Sequence, residues 1–251
     1  MRADAVLVCH SVRKQFGGLV ALDGVDLAVC KGEILGLIGP NGAGKTTLFN
    51  IICGVFPPTE GRVTFQGNDI TGWPSHRVAQ VGIGRTFQIT RPFHRMTVLD
   101  NVLVAAGHRY VNSPMGALTQ RGMQAIRERA LAVLERVGLQ QHAYKLASEL
   151  NLGLLRRLEI ARALALDPVV LMLDEPVAGL GYDAIADLVN LLVDLRADGL
   201  TILLVEHNTA VAKAVCNRVV VLDRGVKIAE GPPEDVFRQQ RVIEAYLGEE
   251  G

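Results

Sequence analysis

From residue 39 the chain reads Gly39-Pro40-Asn41-Gly42-Ala43-Gly44-Lys45-Thr46-Thr47. This spacing of glycines, a lysine and hydroxyls can wrap a triphosphate. The glycines let successive backbone N–H groups curl around anionic oxygens, and a helix starting at the lysine adds its positive end. In that arrangement Lys45 reaches the β- and γ-phosphates, Thr46 offers its hydroxyl to Mg²⁺, and Thr47 hydrogen-bonds an earlier phosphate. A phosphate loop alone does not separate kinases, GTPases and ATPases. The run Val169–Glu175 (VVLMLDE) does, because its apolar residues end in two adjacent carboxylates. Two acids at a buried strand tip are costly unless they are used. Asp174 stands where a Walker B aspartate holds the Mg²⁺ shell through water, and Glu175 can orient and deprotonate an attacking water. The predicted chemistry is phosphoryl transfer to water.

These residues need a strand, a loop and a helix to position them. The apolar run Ile34–Gly39 predicts a strand buried on both faces, leading through the glycine-rich loop into the helix TTLFNIICG. Ala5–His10, Val25–Cys30 and Arg62–Gln66 predict a small antiparallel sheet. From Thr97 to Ala165, Leu, Val and Ile recur three and four apart, as in helices. VVLMLDEP and TILLVEHN, separated by the amphipathic AIADLVNLLVDLRADG, predict a strand–helix–strand crossover. RVVVLDRG and VKIAEG predict a last strand pair before a C-terminal helix, EDVFRQQRVIEAYLG.

With these motifs in place, nearly the whole chain resembles the ABC transporter ATPase family. The resemblance implies an α/β fold: a P-loop NTPase with a RecA-like core, an antiparallel β subdomain and an inserted α-helical subdomain. The expected boundaries within the single 1–251 domain are 1–88 and 163–251 for the core with its antiparallel part, and 89–162 for the helical part. By the same resemblance, Phe16 in KQFGG stacks on adenine. Gln88 in GRTFQ contacts Mg²⁺ and water, and His207, ending TILLVEH, senses the γ-phosphate. The signature segment aligns with Leu150-Asn151-Leu152-Gly153-Leu154-Leu155-Arg156-Arg157. In the family it caps the γ-phosphate held by a facing subunit, so Asn151, Leu152, Gly153 and Leu154 are expected to act in trans. Asn151 replaces the usual Ser and Leu154 the usual Gln. Gly181 stands where the loop crossing the family's dimer interface usually has Asp or Asn, and no catalytic role is carried over there.

Within the family, GIGRTFQITRPFHRMTVLDNVLVA, RRLEIARAL, LMLDEPVAGL and VIEAYLGEE resemble the subunits serving branched-chain amino-acid importers, the LivG type. This implies ATP and Mg²⁺ as cofactors and a second ATPase subunit, identical or not. It also implies two integral membrane permeases and, indirectly, a periplasmic substrate-binding protein, with the chain peripheral on the cytoplasmic face of the inner membrane.

Lys plus Arg and Asp plus Glu number 26 each, which supplies no net field for nucleic acid. The cysteines Cys9, Cys30, Cys53 and Cys216 form no CxxC pair, which predicts buried free thiols rather than zinc or disulfides. No run of about 18 apolar residues predicts a membrane span, and the N-terminus lacks an export signal's apolar core. Two readings compete with a transport motor. One is a soluble ABC ATPase acting on DNA or ribosomes, whose relatives carry fused cassettes, insertions or basic arms that this sequence lacks. The other is a regulatory nucleotide binder with impaired turnover, motivated by Asn151 and Leu154.

Overall fold

A computed structural model describes residues 4–86, 92–107 and 120–247. Strands β1 (Ala5–Phe16) and β2 (Leu19–Cys30) pair antiparallel. Leu7 and Cys9 are buried, and the next buried residue of β1 is Val12. The change of phase falls at Ser11, whose φ of 44° forms a bulge and whose N–H donates to Asp26 Oδ1 at 2.8 Å. The strand thus continues past His10, where the alternation of the sequence breaks. Strand β3 (Ile34–Ile38) is buried throughout and feeds helix α1 (Lys45–Ile52). Strands β4 (Glu60–Phe65) and β5 (Asn68–Asp69) complete a four-stranded antiparallel sheet of order β2-β1-β4-β5.

After α2 (Ser75–Gln80) and β6 (Ile83–Arg85) come α3 (Val98–Ala106), α4 (Gln120–Arg136) and α5 (Leu152–Leu164). Thr97 caps α3 by accepting from the Asp100 N–H at 3.0 Å. Strand β7 (Val170–Asp174), helix α6 (Tyr182–Ala197), strand β8 (Thr201–Glu206) and helix α7 (Thr209–Val215) follow. Strands β9 (Arg218–Asp223) and β10 (Val226–Gly231) close a six-stranded sheet of order β10-β9-β3-β8-β7-β6. In it β9, β3, β8 and β7 run parallel and β10 antiparallel. The C-terminal helix read as continuous is instead two, α8 (Pro233–Val236) and α9 (Gln240–Leu247). Both Val236 and Val242 are buried. On one unbroken helix their side chains would lie about 120° apart, so the break lets both reach the core.

The described residues gather into two compact units. One is built within 1–83, 169–175 and 192–251, the other within 84–168 and 176–191. In the first, a single core joins Leu7, Leu27 and Phe65 of the antiparallel sheet to Leu48 and Phe49 of α1 and to Leu37, Met172 and Val205 of the parallel strands. Among the described residues no helix is long and apolar enough to cross a membrane. All four cysteines are buried and free, and burial pushes the Cys9 and Cys216 thiols up to about 12, which leaves them inert.

Arg218 ties the two sheets together. Its guanidinium donates to Glu33 Oε1 at 2.7 Å and to the Ala28 carbonyl of β2 at 2.6 Å, and it is also bonded to Glu230 of β10. Removing it would take a buried charged donor from Glu33, from Glu230 and from the Ala28 carbonyl at once. Arg218→Ala is therefore expected to cost about 3 kcal/mol and to lower the melting midpoint by about 10 °C. Thermal unfolding followed by circular dichroism checks this, and a shift of under about 2 °C would show that the network contributes nothing.

Candidate functional site

The phosphate loop leaves the C-terminal end of β3, and its shape demands glycine. Gly39 has φ 150°, and a Cβ there would sit 2.1 Å from the Leu222 carbonyl oxygen. Gly44, with φ 98°, begins α1, and its Cβ would meet the Ala21 carbonyl oxygen at 2.7 Å. The loop is braced by the Ala43 N–H donating to Pro40 O at 3.2 Å and the Gly225 N–H to Ala43 O at 3.0 Å. Lys45 is 5% exposed. Its ammonium folds back over the loop and donates to Gly39 O at 2.6 Å and Pro40 O at 2.8 Å. Thr46 is exposed and Thr47 half-buried on the first turn of α1.

The sheet register places the acids. Leu37 of β3 and Asp174 of β7 both align with Val205 of the intervening β8. Strands two apart are about 10 Å apart, so the loop and the acids leave the same edge of the sheet side by side, at the carboxyl ends of parallel strands. Asp174 is buried. At Glu175 the backbone turns sharply: φ is 48°, in the left-handed region, while its N–H still donates to Val205 O at 2.9 Å. Such a conformation in a non-glycine residue costs about 1–3 kcal/mol. It swings the carboxylate out of the strand, where Oε1 lies 3.6 Å from His207 Nδ1. The Glu175 side chain is 16% exposed and that of His207 53%. The pair is sheltered on the acid's side and open on the imidazole's.

Phe16 is 45% exposed at the end of β1 and stands edge-on to Phe56, with centroids 5.4 Å apart and planes at 84°. The Lys14 ammonium lies 5.0 Å from both ring centroids and donates to Pro57 O at 2.7 Å. One ring is thus held in place while keeping exposed area for a planar partner. Asn151 caps α5, its Oδ1 accepting from the Leu154 N–H at 3.0 Å, and Leu152 is exposed beside it. The structure therefore brings Phe16, the phosphate loop, Asp174, Glu175 and His207 into the first unit, while residues 151–154 lie in the second. Gln88 lies outside the described residues.

The sequence reading passed over Lys14, Phe56 and Glu206. Nothing in sequence marks the first two, because their contacts with Phe16 form only through the fold. Glu206 did leave a signal: an acid closing the otherwise apolar TILLV run.

A family model described as ABC transporter matches residues 22–178, more than half of the chain. The chain belongs to the ABC transporter family. A second model, described as branched-chain amino acid ATP-binding cassette transporter, matches residues 226–251 of this cassette. The cassette is 40% identical over 253 residues to the high-affinity branched-chain amino acid transport ATP-binding protein LivG of Salmonella typhimurium, covering 98% of this chain and 99% of that protein. It is likewise 40% identical over 251 residues to BraF of Pseudomonas aeruginosa, covering 97% and 98%. Among solved structures it is similar to the ADP conformation of an ATP-binding cassette of an ABC transporter, with a TM-score of 0.86, 35% identity and coverage of 97% and 99%. It is also similar to a dimeric post-hydrolysis cassette bound to ADP and Pi, with a TM-score of 0.77, 29% identity and coverage of 90% and 98%. The cassette is an ATPase, and the expected P-loop α/β fold is the one found.

Proposed function

We propose that this cassette is the ATP-hydrolysing subunit of an importer for branched-chain or other hydrophobic amino acids. It works as a pair with a second cassette, on the cytoplasmic face of the membrane. Two permeases form the path, and a periplasmic binding protein delivers the cargo. The observation that supports the chemistry is the Glu175–His207 pair, 3.6 Å apart at the sheet edge that also carries the phosphate loop. The cargo rests on kinship with relatives of that named transport and on the matching C-terminal segment.

The steps follow from the residues. Lys45 exchanges the Gly39 and Pro40 carbonyls for β- and γ-phosphate oxygens as ATP enters, and the loop N–H groups hold the remaining charge. Phe16 stacks on the adenine. Glu175 accepts a proton from water as the water oxygen bonds the γ-phosphorus and the bond to the ADP oxygen breaks. His207 holds the Glu175 carboxylate in line. The donors present suit Mg²⁺: the Thr46 hydroxyl and the Asp174 carboxylate are hard oxygens, few in number, as that ion takes when substrate phosphates and water complete its shell. Bound there with Gln88, Mg²⁺ would neutralise charge developing on the phosphates. In the other unit, Asn151 spends its oxygen on the cap of α5 and leaves its amide as the donor toward a facing cassette's γ-phosphate. An amide so placed keeps both functions of the usual serine, which favours turnover over a purely regulatory binder.

Co-purification with two permeases, and ATP-driven leucine uptake into vesicles containing that assembly and its binding protein, tests the proposal. An assembly that hydrolyses ATP but moves no hydrophobic amino acid would overturn the cargo. Phe16→Ala is expected to raise KM for ATP about tenfold with kcat unchanged, whereas Phe16→Tyr stays near wild type. Steady-state ATPase kinetics check this, and an unaltered KM in Phe16→Ala would remove Phe16 from the site.

A further inference from the structure

Strand β8 is buried throughout and ends on Glu206, whose exposure is 0%. A carboxylate in such a position is costly unless it collects hydrogen bonds. Glu206 pairs with Ile38, the residue before the phosphate loop, and its strand neighbours β7, which ends at Asp174. Its Oε2 accepts from the His207 N–H at 3.3 Å and the Asn208 N–H at 3.5 Å. Only His207 and Asn208 separate β8 from α7. Asn208 Oδ1 in turn accepts from the Ala210 N–H at 3.0 Å and the Val211 N–H at 3.2 Å. Two side chains therefore gather the N–H groups of residues 207, 208, 210 and 211, and the turn that carries His207 is fixed from beneath. The imidazole is left above it, 3.6 Å from Glu175.

We propose that Glu206 is a positioning residue for hydrolysis: its buried carboxylate holds the backbone of the His207 turn, so that the imidazole keeps Glu175 aligned with the attacking water. The proposal rests on the reading of His207 given above. Its logic is indirect action. Glu206 bonds the backbone of the turn, so its effect on the rate should pass through His207 and vanish when the imidazole is gone. What the turn needs is an acceptor in place, which an amide oxygen also supplies.

The test is ATP hydrolysis by the full chain with Mg²⁺ in Glu206→Gln, Glu206→Leu, His207→Ala and the Glu206→Leu/His207→Ala double variant. Misplacing a catalytic group by about 1 Å costs about a hundredfold. Glu206→Leu is accordingly expected to lower kcat about 30–100-fold with KM for ATP unchanged, and Glu206→Gln to recover most of the rate. In the His207→Ala background Glu206→Leu should add less than about twofold, because coupled residues are not additive. A full multiplicative loss in the double variant, or an equal rise in KM, would overturn the proposal. An unaltered kcat in His207→Ala alone would instead overturn the reading of His207. Amide proton resonances provide a readout that does not require Glu206→Leu to fold. In Glu206→Gln those of His207 and Asn208 should move upfield as a charged acceptor becomes neutral, and unmoved resonances would refute the contact itself.

Discussion

Replacing Glu175 by glutamine is expected to lower kcat for ATP hydrolysis about a thousandfold while leaving ATP affinity within about twofold. Glutamine matches glutamate in size and keeps an oxygen that can accept from water, but it cannot take water's proton. The left-handed backbone at Glu175 directs the side chain independently of its charge. Loss of chemistry should therefore separate cleanly from loss of structure. In the proposed pair ATP holds the two cassettes together until it is cleaved, so Glu175→Gln with ATP should elute from a sizing column as a dimer and without ATP as a monomer. Single-turnover release of phosphate measures the chemical step directly. A rate within about tenfold of wild type would show that another group accepts the proton.

That prediction uses residues whose placement the sequence made legible, for a physical reason. An apolar run ending in polar groups has one economical solution, a buried strand that delivers those groups at its tip. Both Ile34–Ile38 before the loop and Val170–Asp174 before Glu175 are of that kind, and both are buried at every position. The helix after the loop follows from glycine conformations that only this turn explains. Legibility ends where tertiary contact overrides local pattern. The bulge at Ser11 restores a strand that alternation alone would end at His10. The split between α8 and α9 arises from the need to bury Val236 and Val242 together. The edge-to-face seat of Phe16 on Phe56, with Lys14 beside both, has no local signature at all. Glu206 is the intermediate case. An acid in a buried run announces a cost in the sequence, but the direction of the backbone N–H groups that bond it is decided only by the fold.

Removing the Lys45 side chain should act on binding rather than on the chemical step, and this distinguishes the two halves of the site. The ammonium is nearly buried and already holds two loop carbonyls, at 2.6 and 2.8 Å. Incoming phosphates must be the better partners for it to let go, and they are, because a phosphate oxygen carries a negative charge that a carbonyl lacks and adds a Coulomb attraction to the bond. With Lys45→Ala those bonds are lost, at about 3 kcal/mol in all, which weakens ATP by about a hundredfold and ADP, which lacks the γ-phosphate, by less. Isothermal titration measures both nucleotides. Lys45→Arg should not rescue binding, since a planar, bulkier guanidinium does not fit where a compact ammonium reaches back over its own loop. Lys45→Ala also deprives Gly39 and Pro40 of a donor, so that variant should lose about 1 kcal/mol of stability without nucleotide, visible as a small fall in melting midpoint. If Lys45→Ala bound ATP within about threefold of wild type, the loop N–H groups alone would hold the triphosphate, and Lys45 would be a brace for the nucleotide-free loop rather than a ligand of the phosphates.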